Sequence, residues 1–160
     1  MILDCNEIIA DKLWVGSYIR PEDARFLRQM EITSVLSLQS DRDLAVYGIS
    51  IEKLLQAFSL SDIEFHRIPT HDFDKQALAD NLPQAVEALE KTLAPPCARA
   101  YVHCSAGINR APTLAAAYLI KQKGMSAQEA YDYLVARRDC HPYLEVLNGY
   151  ESLLRENRSG

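Results

Sequence analysis

Cys104 and Arg110, at either end of one short loop, carry the first chemistry that can be read from this chain. Between them run Ser105, Ala106, Gly107, Ile108 and Asn109, a stretch that opens on small residues and lets successive backbone N–H groups converge on an anion. A thiol at the floor of such a cradle, ahead of the positive end of a helix, is held as thiolate below its free pKa of about 8.5 and is a nucleophile at neutral pH. Arg110 can lay its planar fork across two phosphate oxygens, where a lysine offers only a point charge. Taken singly, Cys104 could be a small buried hydrophobe and Arg110 a surface ion pair. Neither explanation accounts for both flanking small residues at a strand-to-helix junction.

A phosphoryl transfer also needs an acid for the leaving oxygen, and a carboxyl on a nearby loop can give that proton and later take one from water. The run Ile68-Pro69-Thr70-His71-Asp72-Phe73-Asp74 leaves a strand-like segment and offers Asp72 and Asp74. Asp74 has an equally good structural use as N-cap of the helical segment that follows. His71 reads as a solvent-facing loop residue.

The elements that must position these groups follow from hydrophobic period. Residues 99–103 are short and β-prone, and residues 111–123 are Ala- and Leu-rich, with Pro112 tolerated in a first turn and Gly124 placed to stop the helix. Strand, small-residue turn, helix is the order an anion-binding loop requires. Upstream, Leu78, Leu82, Ala85, Val86, Leu89 and Leu93 share one face of a helix over residues 76–93, which Pro83 is expected to kink or restart. Downstream, Ser126 and Glu129 form a capping box, and Arg137 and Arg138 in that helix's last turn read as solvent residues matched to its dipole. A last helix over residues 143–155 buries Leu144, Leu147, Tyr150 and Leu154. In the first half, Leu13-Trp14-Val15-Gly16 reads as a strand, residues 21–30 as a helix, 32–38 as a strand, Ile51, Leu54, Leu55 and Phe58 as a helical stripe, and 64–68 as a strand. This alternation predicts an α/β fold, a central mostly parallel sheet flanked by helices, with its ligand site beyond the carboxyl ends of the strands.

Composition narrows the rest. At 160 residues, 48% hydrophobic and 24% charged, residues 1–160 are expected to form one ordinary globular domain. A net charge of −5 with no run of Lys and Arg argues against nucleic acid as a partner. The 4 cysteines are scattered without a C-x-x-C pair, which fits a reducing compartment better than a zinc ribbon or a disulfide framework. A zinc site from His103, Cys104, Cys140 and His141 would need adjacent residues to point at one ion, so no metal is expected and no organic cofactor is implied. No apolar run of about 18 residues suggests a membrane span, and residues 1–11 lack a targeting pattern. The expected location is cytoplasmic, or the plastid stroma if a transit peptide has been removed.

His103-Cys104-x5-Arg110, with Gly107 inside the loop, resembles the signature of the dual-specificity branch of cysteine-dependent phosphatases. That resemblance implies a dual-specificity phosphatase fold and a phosphocysteine intermediate, with Cys104 as nucleophile, the loop 105–110 binding a phosphate- or sulfate-like anion, and His103 orienting the loop and tuning the thiolate. It also selects Asp72, which follows Ile-Pro, as general acid. Ala111 departs from relatives that carry Ser or Thr directly after the arginine to ease departure of the thiolate, so a slower second step is expected; Asn109 is a further departure. Beyond the loop, Leu13-x-Val15-Gly16-Ser17, Pro21-Glu22-Asp23, Ser37-Leu38-Gln39 with Asp41 and Asp43, Tyr47-Gly48-Ile49, Asp72-Phe73-Asp74 and Arg110-Ala111-Pro112 look like the plant starch-excess and like-starch-excess glucan phosphatases and laforin-type catalytic domains. No extra region is long enough for the carbohydrate-binding module that some of them carry. The resemblance implies phosphorylated glucan as substrate, with Tyr47 and Phe73 stacking on sugar faces. Phe73 could instead cap the core and Tyr47 could pack on the Ile51 helix, and relatives often show two adjacent aromatics where this chain has Val46 and Tyr47. Two other readings stand beside it: a phosphatase of phosphoproteins or phosphoinositides, and a non-catalytic phosphate-binding module.

Overall fold

Short β-branched runs separated by amphipathic stretches build a five-stranded sheet in the computed structural model, which describes residues 3–159. The strands are β1 (Cys5–Ile9), β2 (Leu13–Gly16), β3 (Ser34–Ser37), β4 (Glu64–Arg67) and β5 (Ala100–His103), in the order β1-β2-β5-β3-β4. β1 runs antiparallel to β2, and the other neighbours are parallel. Every residue of β2, β3 and β5 is buried, as expected of parallel strands covered on both faces. The register pairs His103 with both Gly16 and Ser37, and Ser37 with Arg67. The chain therefore leaves β2, β3, β4 and β5 along one edge, and the segments after those residues gather there.

Alternate strand residues feed two cores. Leu13, Val15, Leu36 and Val102 pack with α4 (Lys75–Thr92), α5 (Arg110–Lys123), α6 (Ala127–Arg137) and α7 (Leu144–Ser159). Trp14, Val35 and Tyr101 face the other way, toward α1 (Ala24–Gln29), α2 (Asp41–Val46) and α3 (Ile51–Leu60). α5 is buried from Arg110 through Ile120, and its alanines let α4, α6 and α7 close around it. It ends at Gly124, whose φ of 67° is the left-handed cap that glycine takes without strain.

Several elements differ from the sequence expectation for identifiable reasons. α4 runs through Pro83 without a break: Leu78, Leu82, Ala85, Val86 and Leu89 anchor both halves on the core, and Pro83 lies on the exposed face. The helix expected over residues 21–30 divides into a 3-10 turn, Pro21–Asp23, and α1. β1 went unread because it is an edge strand with one buried residue, Ile8. α2 also went unread; its signal is the pair Ser40 and Asp43, which cap each other's backbone N–H groups.

His103 ends the central strand fully buried. Its Nδ1 lies 2.9 Å from the Cys104 carbonyl, an acceptor only, so Nδ1 carries the proton, while Nε2 has no hydrogen-bond partner. Burial lowers the imidazole pKa to about 4, against the hydrogen bond to Cys104 and with help from the Arg110 charge. Unfolded, the ring takes up a proton as pH falls through about 6.5, whereas folded it does so only near 4. Its effect on stability is absent above the upper value and grows into a destabilisation of about 3 kcal/mol as pH falls to the lower one. Urea unfolding of the wild type and His103→Gln at pH 7 and pH 4.5 checks this. The wild type is expected to lose about 2 kcal/mol more than the variant, and equal losses would show an imidazole that stays ionisable in the fold.

Candidate active site

Between β5 and α5 the chain turns through residues 104–109, and the hydrogen bonds of that turn are strongly one-sided. Each carbonyl from His103 to Asn109 accepts from the surrounding protein. Leu38 N–H donates to His103 O (2.9 Å), His103 Nδ1 to Cys104 O, Tyr18 N–H to Ser105 O (2.9 Å) and His141 N–H to Ile108 O (2.8 Å). Arg138 donates to Ala106 O (3.2 Å) and Gly107 O (2.8 Å), and Thr113 to Asn109 O. Among the described residues, none of the backbone N–H groups of residues 105–109 donates to protein. Carbonyls turned outward leave the amides for the concave side, the arrangement of an anion-binding nest.

Two glycines allow this curvature. Gly107 has φ of 69°, and a Cβ there would stand 2.6 Å from the Gly16 carbonyl. A Cβ on Gly16 would meet Tyr101 Oη at 2.3 Å and Asp4 O at 2.5 Å. Sequence reasoning misplaced Arg138: it is 6% exposed rather than a solvent residue, and besides the two loop carbonyls it binds Asp4 and Asn6. Arg137 does face solvent, over the Tyr133 ring. No local pattern distinguishes these neighbours; the helix period alone, followed past its last turn, sends one of them back toward the sheet.

Cys104 lies at the base of the loop with 2% of its surface exposed. Arg110 is 1% exposed, and its hydrogen bonds to protein are all made by Nη1. Its Nη1 donates to Asp43 Oδ2 at 2.7 Å and to the Thr70 carbonyl at 2.8 Å, whereas Nε and Nη2 have no hydrogen-bond partner. Asp72 Oδ2 lies 3.2 Å from Nη2 as an ion pair. Burial works against the guanidinium charge, but the Asp43 hydrogen bond and the charges of Cys104, Asp43 and Asp72 raise its pKa further. Burial also opposes the Asp43 carboxylate, yet Arg110 and Ser40 hold its pKa below the usual value. Asp43 Oδ2 thus joins the cap of α2 to the guanidinium, a role the Ser40–Asp43 spacing alone did not disclose.

Asp74 accepts from Ala77 N–H at 2.9 Å and N-caps α4. Asp72, Phe73, Val46, Tyr47, Asp43 and Ser105 line an open cleft of 360 Å³. Phe73 is 80% exposed with φ of 63°, so it does not cap the core, and Tyr47 stacks on Tyr18 while also packing against the apolar cluster that includes Leu54 and Phe58 of the Ile51 helix. Gln39, fully buried, donates from Nε2 to Ser105 Oγ at 3.1 Å. A larger groove of 400 Å³ between α4 and α7 carries a Lys75–Glu145 ion pair but no nucleophile. His103, Cys104, Cys140 and His141 do not converge: among the described residues no three His, Cys, Asp or Glu side chains are placed to hold a metal ion. No helix among them is long and apolar enough to cross a membrane.

The chain is 34% identical over 141 residues to phosphoglucan phosphatase DSP4, amyloplastic, of Castanea sativa, a match covering 87% of this chain and 38% of that protein. It is 33% identical over 135 residues to tyrosine-protein phosphatase vhp-1 of Caenorhabditis elegans, covering 82% and 18%. The chain thus spans well under two thirds of either relative. The crystal structure of Cydia pomonella PTP-2 phosphatase superposes with a TM-score of 0.77 at 26% identity, covering 92% of this chain and 90% of that one. The family model for the dual specificity phosphatase catalytic domain matches residues 13–152, and the chain belongs to that family.

Proposed function

We propose that the chain is a cysteine-dependent phosphomonoester hydrolase that works through a phosphocysteine intermediate and acts on phosphorylated glucan. The observation that carries the hydrolase reading is the set of unpaired donors around Cys104: the amides of residues 105–109 and the Nε–Nη2 edge of Arg110. Donors fixed before the substrate arrives stabilise charge on the transferring phosphoryl oxygens without reorganisation. The Cys104 thiolate attacks phosphorus as the bond to the leaving oxygen breaks, and Asp72 gives its proton to that oxygen. Asp72 then takes a proton from water, whose oxygen attacks phosphorus, breaking the S–P bond and returning the thiolate. The incoming dianion takes the Arg110 edge in place of the Asp72 carboxylate; released from the cation, Asp72 takes up a proton from solvent and faces the leaving group as the acid, and the proton it later takes from water restores that form for the next turnover. His103, neutral and donating to the Cys104 carbonyl, orients the loop and takes no proton in the reaction.

For the substrate, Tyr47 and Phe73 support phosphoglucan, since both flank the cleft and aromatic faces suit the apolar faces of a sugar chain. The similarity to a phosphoglucan phosphatase points the same way. A phosphoprotein or phosphoinositide phosphatase is the second reading, favoured by an almost equal identity to a tyrosine-protein phosphatase.

Three measurements test these assignments. Cys104→Ser is expected to abolish release of phosphate from a generic aryl phosphate; unchanged hydrolysis would rule out the covalent path. Asp72→Asn is expected to lower kcat on phosphoglucan about 10²-fold, whereas Asp74→Ala leaves kcat near the wild-type value and costs about 1 kcal/mol of stability through the cap of α4, and the reverse pattern would reassign the acid. On phosphorylated amylopectin against a phosphotyrosine peptide, kcat/KM should favour the glucan, with Tyr47→Ala or Phe73→Ala each lowering that ratio about fivefold; a rate no better than on the peptide moves the assignment to the second reading.

A further inference from the structure

We propose that Tyr18 is a positioning residue that holds the Tyr47 ring rigidly against the cleft and thereby sets the preference for a sugar-borne phosphate, an inference that rests on the phosphoglucan reading. The two rings stack with centroids 4.2 Å apart and planes 23° apart, although they come from different segments: Tyr18 follows β2 and Tyr47 caps the end of α2. Tyr18 is tied to the catalytic edge at three points. Its own N–H donates to Ser105 O at 2.9 Å, the carbonyl of Ser17 before it accepts from Tyr101 Oη at 2.9 Å, and the side chain of Ile19 after it is fully buried. The Arg20 guanidinium lies over the Tyr18 ring, 5.4 Å from its centroid, and adds a cation–π contact. Tyr18 therefore moves only with the phosphate loop, and its ring carries that fixed position to Tyr47.

Tyr47 needs such support. It stands at a helix end, between Val46, which is 70% exposed, and Gly48 at φ of 63°, and only part of its surface packs on the apolar cluster of Leu44, Ile49 and Leu54. Of its two faces one is covered by Tyr18, and Tyr47 also lines the cleft opposite Asp72 and Phe73. An aromatic ring already fixed in orientation loses less rotamer freedom when a sugar ring stacks on it, and this strengthens binding without touching the reacting atoms. Tyr18 thus supplies from β2 the second aromatic that the adjacent Val46 cannot.

Phosphate release from phosphorylated amylopectin and from para-nitrophenyl phosphate should be compared for the wild type, Tyr18→Ala, Tyr18→Phe, Tyr47→Ala and the double alanine variant. Tyr18→Ala is expected to lower the glucan-to-aryl ratio of kcat/KM about fivefold, through KM for the glucan, and Tyr18→Phe to restore it to within about twofold. The double variant should fall no further than Tyr47→Ala alone, because both changes remove one platform. A ratio lowered by Tyr47→Ala but not by Tyr18→Ala, or losses that multiply, would overturn the role of Tyr18 while leaving the phosphoglucan reading intact. A fall in kcat alone on both substrates would also overturn it, marking Tyr18 as a support of the loop. A ratio that Tyr47→Ala leaves unchanged would remove the platform itself and the inference with it.

Discussion

A guanidinium buried to 1% exposure and hydrogen-bonded along only one edge is the constraint on which the rest of this structure depends. Removing a charge from water costs several kcal/mol, and the cost is met only where partners replace the lost hydration. Arg110, carried at the head of α5 after β5, obtains that replacement from two other strand exits at once: Asp43 beyond β3 and the Thr70 carbonyl beyond β4. The parallel register that aligns Ser37, Arg67 and His103 is what brings those exits within reach of one side chain. The remaining edge, Nε with Nη2, makes no hydrogen bond to protein and meets the Asp72 carboxylate as an ion pair, 3.2 Å from Nη2. A buried cation whose second edge is held by one displaceable ion pair, beside a nest of free amides, is complementary to a tetrahedral dianion.

These features run against the ordinary economy of a folded chain, in which buried donors are paired. Unpaired amides at residues 105–109, the open edge of Arg110 and the left-handed backbone at Phe73 all fall on one edge of the sheet. They persist because neighbouring residues fix them from behind. Arg138 reaches back from the end of α6 to hold two loop carbonyls while anchored to Asp4 and Asn6, and the Gly16–Gly107 contact leaves room for the loop backbone to pass β2. Unsatisfied buried polarity gathered at one place, on Gln39, Arg67, His103 and Arg110, is the signature of a site and not of poor packing.

How much of this was legible in the sequence depended on how local each signal is. The strand, loop and helix around Cys104 and Arg110 were legible, because small residues, a Pro in a first turn and a terminal Gly each act within a few positions. Asp74 showed both of its possible uses from spacing, and the structure places it in the cap. Asp43 and Arg138 were not readable in the same way: their partners lie far along the chain, and a capping residue or a basic last turn looks alike whether it ends in solvent or on a phosphate loop. β1 was missed because a strand with one buried residue has almost no periodic signal. The stack of Tyr18 on Tyr47 is the extreme case, since nothing in either segment announces the other.

The same distinction bears on substrate choice. The loop meets only the phosphoryl group, which is common to sugars, proteins and lipids, so its donors carry no information about what the phosphate is attached to. Discrimination has to come from surfaces that touch the remainder of the substrate, and here those are the walls of the cleft at Val46, Tyr47 and Phe73. Nearly equal identities to a phosphoglucan phosphatase and to a tyrosine-protein phosphatase fit this division, because the few residues of a cleft wall are a small part of any overall percentage. A wall that presents the rings of Tyr47 and Phe73 rewards flat, apolar contact, while Arg42 on the same cleft sets a cationic partner beside them, so the wall combines stacking with charge and not stacking alone.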